Sequence, residues 1–249
     1  MPDLLDSVRE DDILILTLNR PSVRNALNFA LAHRLLDAVN QAKYDDTIAA
    51  IVITGAPPAF CAGGDLADIP TRADAVTLAA RHRAFVELAH AITSSPKPVV
   101  AAVNGAAVGA GASLALACDY IVMADTAVLR LSFLSVGLPP DLLSISLLRN
   151  RAGSTVAANI LYSASPVDAD DAVRQQLAND TAASADVVAK AIAAARRLGA
   201  LPPFAFATTK SLLRHATTLA DMLVDIEPLA VGAAAASHEF LSATSRYRR

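Results

Sequence analysis

A chain of 249 residues with a formal net charge of −3 can bury a sizeable core as one large domain or two smaller ones. Its balanced charge, broken only by the basic end "RYRR" at 246–249, argues against nucleic-acid or anionic-membrane partners and leaves that tail a solvated terminus. Hydrophobic residues make up 54% and aromatics 4%, so the interior must come from Ala, Leu, Val and Ile, which favours a helix-rich α/β protein over a β-sandwich.

The acidic start "MPDLLDSVREDD" has no apolar run of the kind that marks a signal or transit peptide. Residues 13–18, "ILILTL", read as a strand, and "NRPSVRNALN" as the loop after it. Helical spacing then begins at Leu31, Leu35, Ala38 and Ala42, with Asn28 placed to cap it. A second apolar strand, "AAIVITG" at 49–55, leads into "APPAFCAGGDLADIP", a loop rich in Pro and Gly. A helix of mixed polarity is predicted from about 72 to 93, a strand over 97–105, a helix from near Gly109, and a strand over 119–125. Beyond about 142 the pattern is almost wholly helical, with Leu219, Met222, Leu223, Ile226, Leu229 and Ala233 in helical register and Pro228 forcing a kink or a fresh start. Apolar strands alternating with helices predict parallel pairing with both faces of the sheet covered.

Residues 99–118 pass without a charge and are long enough to span a membrane. Their alanine and glycine content and the Asn104-Gly105 turn signal argue instead for strand, turn and helix. Cys61 and Cys118 suit a reducing compartment better than a disulfide framework, and a cytoplasmic protein is expected.

Two loops place glycines at the carboxyl end of an apolar strand, where open α/β sheets hold ligands. They are "FCAGGDL" (60–66) and "NGAAVGAGAS" (104–113). Glycine lets the backbone approach a ligand, and N–H groups at a helix start carry partial positive charge. Two such N–H groups converging from separate loops would make an oxyanion hole; taken singly, each loop is equally well read as a tight turn.

"NRPSVRNAL", "FCAGGDL", "KPVVAAVNGAAVGAGASLALACDY" and "VGLPPD" follow one another over most of residues 10–175. In that order and spacing they resemble the enoyl-CoA hydratase/isomerase (crotonase) superfamily. The resemblance implies an α/β fold, a spiral of ββα units over 1–190 that carries an acyl-CoA site. It also implies a helical region over 191–249 for packing and trimerisation, often in hexamers of two trimers. The ligand implied is an acyl thioester of coenzyme A, with no separate cofactor and no metal.

By position, the resemblance makes the N–H groups of Gly64 and Ala110 the donors to the thioester oxygen. Ala110 stands where many relatives have the middle glycine of a triplet, which keeps the donor but adds a methyl to the pocket. Carbonyls that receive adenine map to Ala26 and Ala62, Asp65 and Leu66 line the entry, and Arg20 or Arg24 meets the CoA phosphates. Hydratases of the family use two glutamates, and this chain has Ser113 and Phe133 at those positions. Neither moves a proton as a carboxylate does, so the usual hydration machinery is absent. Asp141 falls where several isomerases and the dehalogenase branch place an acid, although dehalogenation needs an aromatic pocket the sequence does not display. Equally, Asp141 could cap a helix beginning at Leu142.

His33, His82, His90, His215 and His238 are scattered over predicted helices, without metal-ligand spacing or a carboxylate partner in sequence, and read as surface or packing residues. Cys61 has no evident base, and Ser113 suits a backbone hydrogen bond. The resulting expectation is isomerase-like proton transfer on an enoyl-CoA in fatty-acid metabolism, with Asp141 as proton carrier. A non-catalytic acyl-CoA carrier and a hydratase with a relocated acid remain open beside it.

Overall fold

Unbroken apolar runs form the strands at the centre of the molecule, which the computed structural model describes over residues 3–68 and 75–215. Strand β1 (Leu5–Glu10) turns at Asp11 (φ 57°) into an antiparallel pair with β2 (Ile13–Leu18). Helix α1 (Phe29–Lys43) starts at the expected cap, where Asn28 Oδ1 accepts the Leu31 N–H at 2.8 Å. It buries Leu31, Ala32, Leu35, Val39 and Ala42, each leucine contributing about 1.5–3 kcal/mol.

Three ββα turns follow. The first is β3 (Ala50–Gly55), β4 (Ala59–Cys61) and α2 (Ala75–Thr93); the second is β5 (Val99–Val103), β6 (Ala106–Val108) and α3 (Ala110–Ala117). The third is β7 (Tyr120–Ala124), β8 (Val128–Arg130) and α4 (Ser144–Ser163). In each turn the first strand joins one sheet and the second joins another. β3, β5 and β7 are parallel neighbours in a six-stranded sheet, and β4, β6 and β8 are parallel neighbours in a four-stranded one. That repetition is the spiral the resemblance implied. Strand β9 (Val167–Asp168) closes the small sheet, and α5 (Ala169–Arg174) leads to β10 (Asp180–Ala182) at the edge of the large one. Helix α6 (Val187–Gly199) buries Val187, Ala191, Ile192, Ala194 and Ala195, and α7 (Pro203–His215) follows.

The uncharged stretch 99–118 is two strands and a short helix, and no helix among the described residues is long and apolar enough to cross a membrane. All eight residues of α3 are buried, as befits a helix apolar on every side. Its carboxyl end is capped by Arg151, whose guanidinium donates to the carbonyls of Leu116 and Cys118. Lys210 of α7 donates to the Ile92 carbonyl at 3.0 Å, the Lys97 carbonyl at 3.4 Å and Asp119 Oδ2 at 2.6 Å, tying α7 to the ends of α2 and β5. The predicted register over 219–233, Pro228, His238 and the basic end lie outside the described residues.

Candidate active site

The small sheet brings the two glycine loops side by side. Leu27 N–H donates to Gly63 O at 2.7 Å and Leu27 O accepts Asp65 N–H at 3.0 Å. These bonds bracket Gly64, so its own N–H points away from Leu27. Gly63 has φ 104°, and a Cβ built on it would lie 2.8 Å from Val108 O and 3.7 Å from Ala110 N. Only glycine lets the loops approach so closely. A Cβ built on Gly64 would meet no atom within 4 Å, because that position opens into a cleft. Ala110 is the first residue of α3, so its N–H has no acceptor within the helix and carries the positive end of the helix dipole. Gly111, one residue on, would meet Cys61 O at 2.3 Å with a Cβ, which is how tightly α3 seats on β4.

Gly64 and Ala110 line the same cleft, with about 680 Å³ of empty space including its open mouth. Ala62, Asp65, Leu66, Phe133 and Asp141 line it as well, so seven of the residues singled out from sequence are brought together. Leu27, Phe29, His82, Phe85, Val136 and Leu138 contribute further lining. Leu66, Val136 and Leu138 leave apolar surface exposed there.

Arg24 and Ala26 do not line the cleft. Arg24 is exposed, and its carbonyl accepts the Ala62 N–H at 2.9 Å. Ala26 O accepts Arg20 Nη1 at 2.5 Å, and the same nitrogen bonds Asp65 Oδ2 at 2.9 Å. Arg20 is thereby committed to tying its own loop to Asp65 of the first glycine loop, and the Ala26 carbonyl has one lone pair left for a ligand. Ser113 is also absent from the lining: it is fully buried and its Oγ donates to Gly109 O at 3.2 Å. Phe133, at the other replaced position, fills cleft wall where a second acid would project. Cys61 is fully buried, and burial pushes its thiol up to about 12, so it stays protonated and inert.

Asp141 is the carboxylate with chemistry to spare. Its backbone carbonyl accepts Ser144 N–H at 2.9 Å, but its side chain does not cap a helix. Helix α4 begins at Ser144, not Leu142, and its N-cap position is Leu143, without a side-chain bond. The reason is local backbone: Leu142 and Leu143 both have left-handed φ (45° and 59°), which breaks the helix before it reaches the aspartate. Asp141 Oδ1 is buried with no hydrogen-bond partner. Desolvation raises the carboxyl to about pKa 6, against a smaller lowering by its own backbone N–H. A carboxyl poised there can both take and return a proton near neutral pH.

Nothing near His82 in the chain suggests a partner for it. The fold sets its Nε2 3.9 Å from Asp141 Oδ2, 59 positions along the chain. Its ring packs against Phe29 and Phe85 at centroid distances of 6.3 and 5.4 Å. Among the described residues no group of three or more His, Cys, Asp or Glu could hold a metal ion.

Residues 9–227 match the enoyl-CoA hydratase/isomerase family. The chain is 33% identical over 220 residues to the 2,3-dehydroadipyl-CoA hydratase of Escherichia coli K12, covering 88% of this chain and 85% of that protein. It is 32% identical over 231 residues to the 1,2-epoxyphenylacetyl-CoA isomerase of the same organism, covering 91% and 88%. Among solved structures it superposes on an enoyl-CoA hydratase from Polaromonas sp. JS666 with a TM-score of 0.88 and 33% identity, covering 93% and 91% of the two chains. Two sheets wound by ββα turns and a match over most of the sequence lead to one assignment: the chain belongs to the enoyl-CoA hydratase/isomerase family, the crotonase superfamily.

Proposed function

We propose that this protein binds an acyl thioester of coenzyme A and moves a proton between two carbons of its enoyl chain. The N–H groups of Gly64 and Ala110 hold the thioester oxygen, and Asp141 carries the proton. The observation that carries this reading is the shared cleft: two loop N–H groups without ladder partners, a carboxylate with one buried oxygen free of hydrogen bonds, and phenylalanine in place of a second acid. Negative charge gathers on the thioester oxygen when a proton leaves the neighbouring carbon, and preorganised donors lower that barrier by about 3–4 kcal/mol each. The carboxylate then returns the proton farther along the chain, shifting the double bond without adding water. Ala62, Asp65 and Leu66 form the entry for the coenzyme, with Arg24 available to its phosphates and the Ala26 carbonyl to its adenine. Coenzyme A is part of the substrate and no other cofactor is needed. In this reading the protein works in the cytoplasm as a trimer or a pair of trimers, within fatty-acid metabolism.

The test is turnover of 2-enoyl- and 3-enoyl-CoA of several chain lengths by wild type and Asp141→Asn. Double-bond migration that falls about 10²–10⁴-fold in the variant is expected. Migration unchanged in Asp141→Asn removes that residue from the mechanism, and addition of water by wild type would replace the reading with a hydratase. Ser113 and Phe133 favour a second reading, a carrier that binds acyl-CoA without transforming it; tight binding with no turnover of any thioester supports that one.

A further inference from the structure

Asp141 is one of four titratable side chains lining the cleft, and the other three differ in what holds them. Asp65 is paired with Arg20 at 2.9 Å, and Asp68 Oδ2 accepts the Phe29 N–H at 2.9 Å. His82 faces Asp141, its ring packed beside the Phe29–Phe85 pair and its Nε2 3.9 Å from Oδ2. On α2 its charged neighbours Arg83 and Glu87 are exposed, and within 132–145 Asp141 is the titratable residue. The gap is too long for a hydrogen bond and short enough for a modest side-chain rotation to close.

We propose that His82 is a second proton-handling group of this site, sharing one proton with Asp141 across that gap. The proposal rests on the isomerase-like reading and adds a division of labour to it. The Asp141 carboxylate takes a proton from the carbon beside the thioester; that C–H bond breaks and its electron pair moves to the thioester oxygen. The His82 imidazolium gives its Nε2 proton to the carbon two positions farther along, where a C–H bond forms as the electrons return. Asp141 is left protonated and His82 neutral, and passing the proton from Oδ2 to Nε2 restores the starting state. Imidazole suits this role because it both accepts and donates near neutral pH. The hydrogen delivered then comes from an imidazole open to solvent, not from the carbon that lost one.

Two readouts of one reaction test this. In D2O, wild type should place solvent deuterium on the receiving carbon in nearly every turnover. His82→Phe, which keeps a ring beside Phe29 and Phe85, should lose about 10²-fold or more in kcat, its remaining product keeping the substrate's own hydrogen. His82→Gln serves if the phenylalanine variant folds poorly. Substrate hydrogen retained by wild type overturns the proposal, as does an unchanged kcat in both His82 variants. Absence of turnover of every enoyl-CoA by wild type removes the isomerase reading itself, so the two failures are distinguishable.

Discussion

The two sides of the cleft are built on different terms. One side, the 61–65 loop against the start of α3, works through backbone: its N–H groups are set by strand pairing, a positive φ at Gly63 and the seating of Gly111 on Cys61. The other side, residues 132–145 and α2, works through side chains: Phe133, Asp141 and His82. Backbone donors survive most substitutions, as Ala110 illustrates, whereas a proton carrier is lost with a single codon. Under the proposed function, one way of holding a thioester can therefore be kept while what is done to it changes, and Ser113 and Phe133 stand where the resemblance expects acids.

The contrast is broken most severely on the backbone side. Gly111→Ala forces a methyl to within 2.3 Å of the Cys61 carbonyl, and the overpacking should cost about 3 kcal/mol, read as a lower midpoint in urea. On the side-chain side, Asp141→Asn should stabilise the protein at alkaline pH. The folded pKa of about 6 lies above the ordinary aspartate value of 3.8, so the stability from burying the neutral acid is complete below pH 4 and is lost as pH rises through 6. Above pH 7 the buried anion costs about 2–3 kcal/mol, which the amide avoids. Unfolding of wild type and variant across pH 4–8 should show the gap opening over that window; a constant gap would refute the burial argument.

Gly64→Ala sharpens the comparison further, since its Cβ meets nothing in the protein and points where a ligand would lie. Affinity for an acyl-CoA should fall at least about tenfold, about 1.4 kcal/mol, with little change in thermal midpoint. The smallest effect is expected at Leu143, whose side chain is partly exposed and whose φ is left-handed. Leu143→Gly relieves that strain and should be neutral or stabilising by up to about 1 kcal/mol.

The strands at 13–18, 49–55, 97–105 and 119–125 were legible because fully apolar runs have few other places to go, and the structure trims them by a residue or two at most ends. The Asn28 cap was legible for the same local reason. Strands β4, β6 and β8 were not: each is three residues long and exists through pairing with the others, which no local pattern encodes. β1, with exposed polar residues along most of its length, shows no apolar run to betray an edge strand. The glycine loops could be read from their residues, but the His82–Asp141 approach could not, since it depends on how α2 packs over the 132–145 segment. Leu142 and Leu143 misled the reading of Asp141 because leucine gives no warning of a left-handed backbone.

The depth of Cys61 acquires a meaning in light of the ligand class. An α,β-unsaturated thioester is an electrophile, and a thiolate three positions from Gly64 would be alkylated by the compound the cleft is proposed to hold. Closed away behind the loop and held protonated with a pKa of about 12, this sulfur is poorly suited to that side reaction. The packing that seats α3 on β4 thus also keeps this thiol out of reach of such an electrophile.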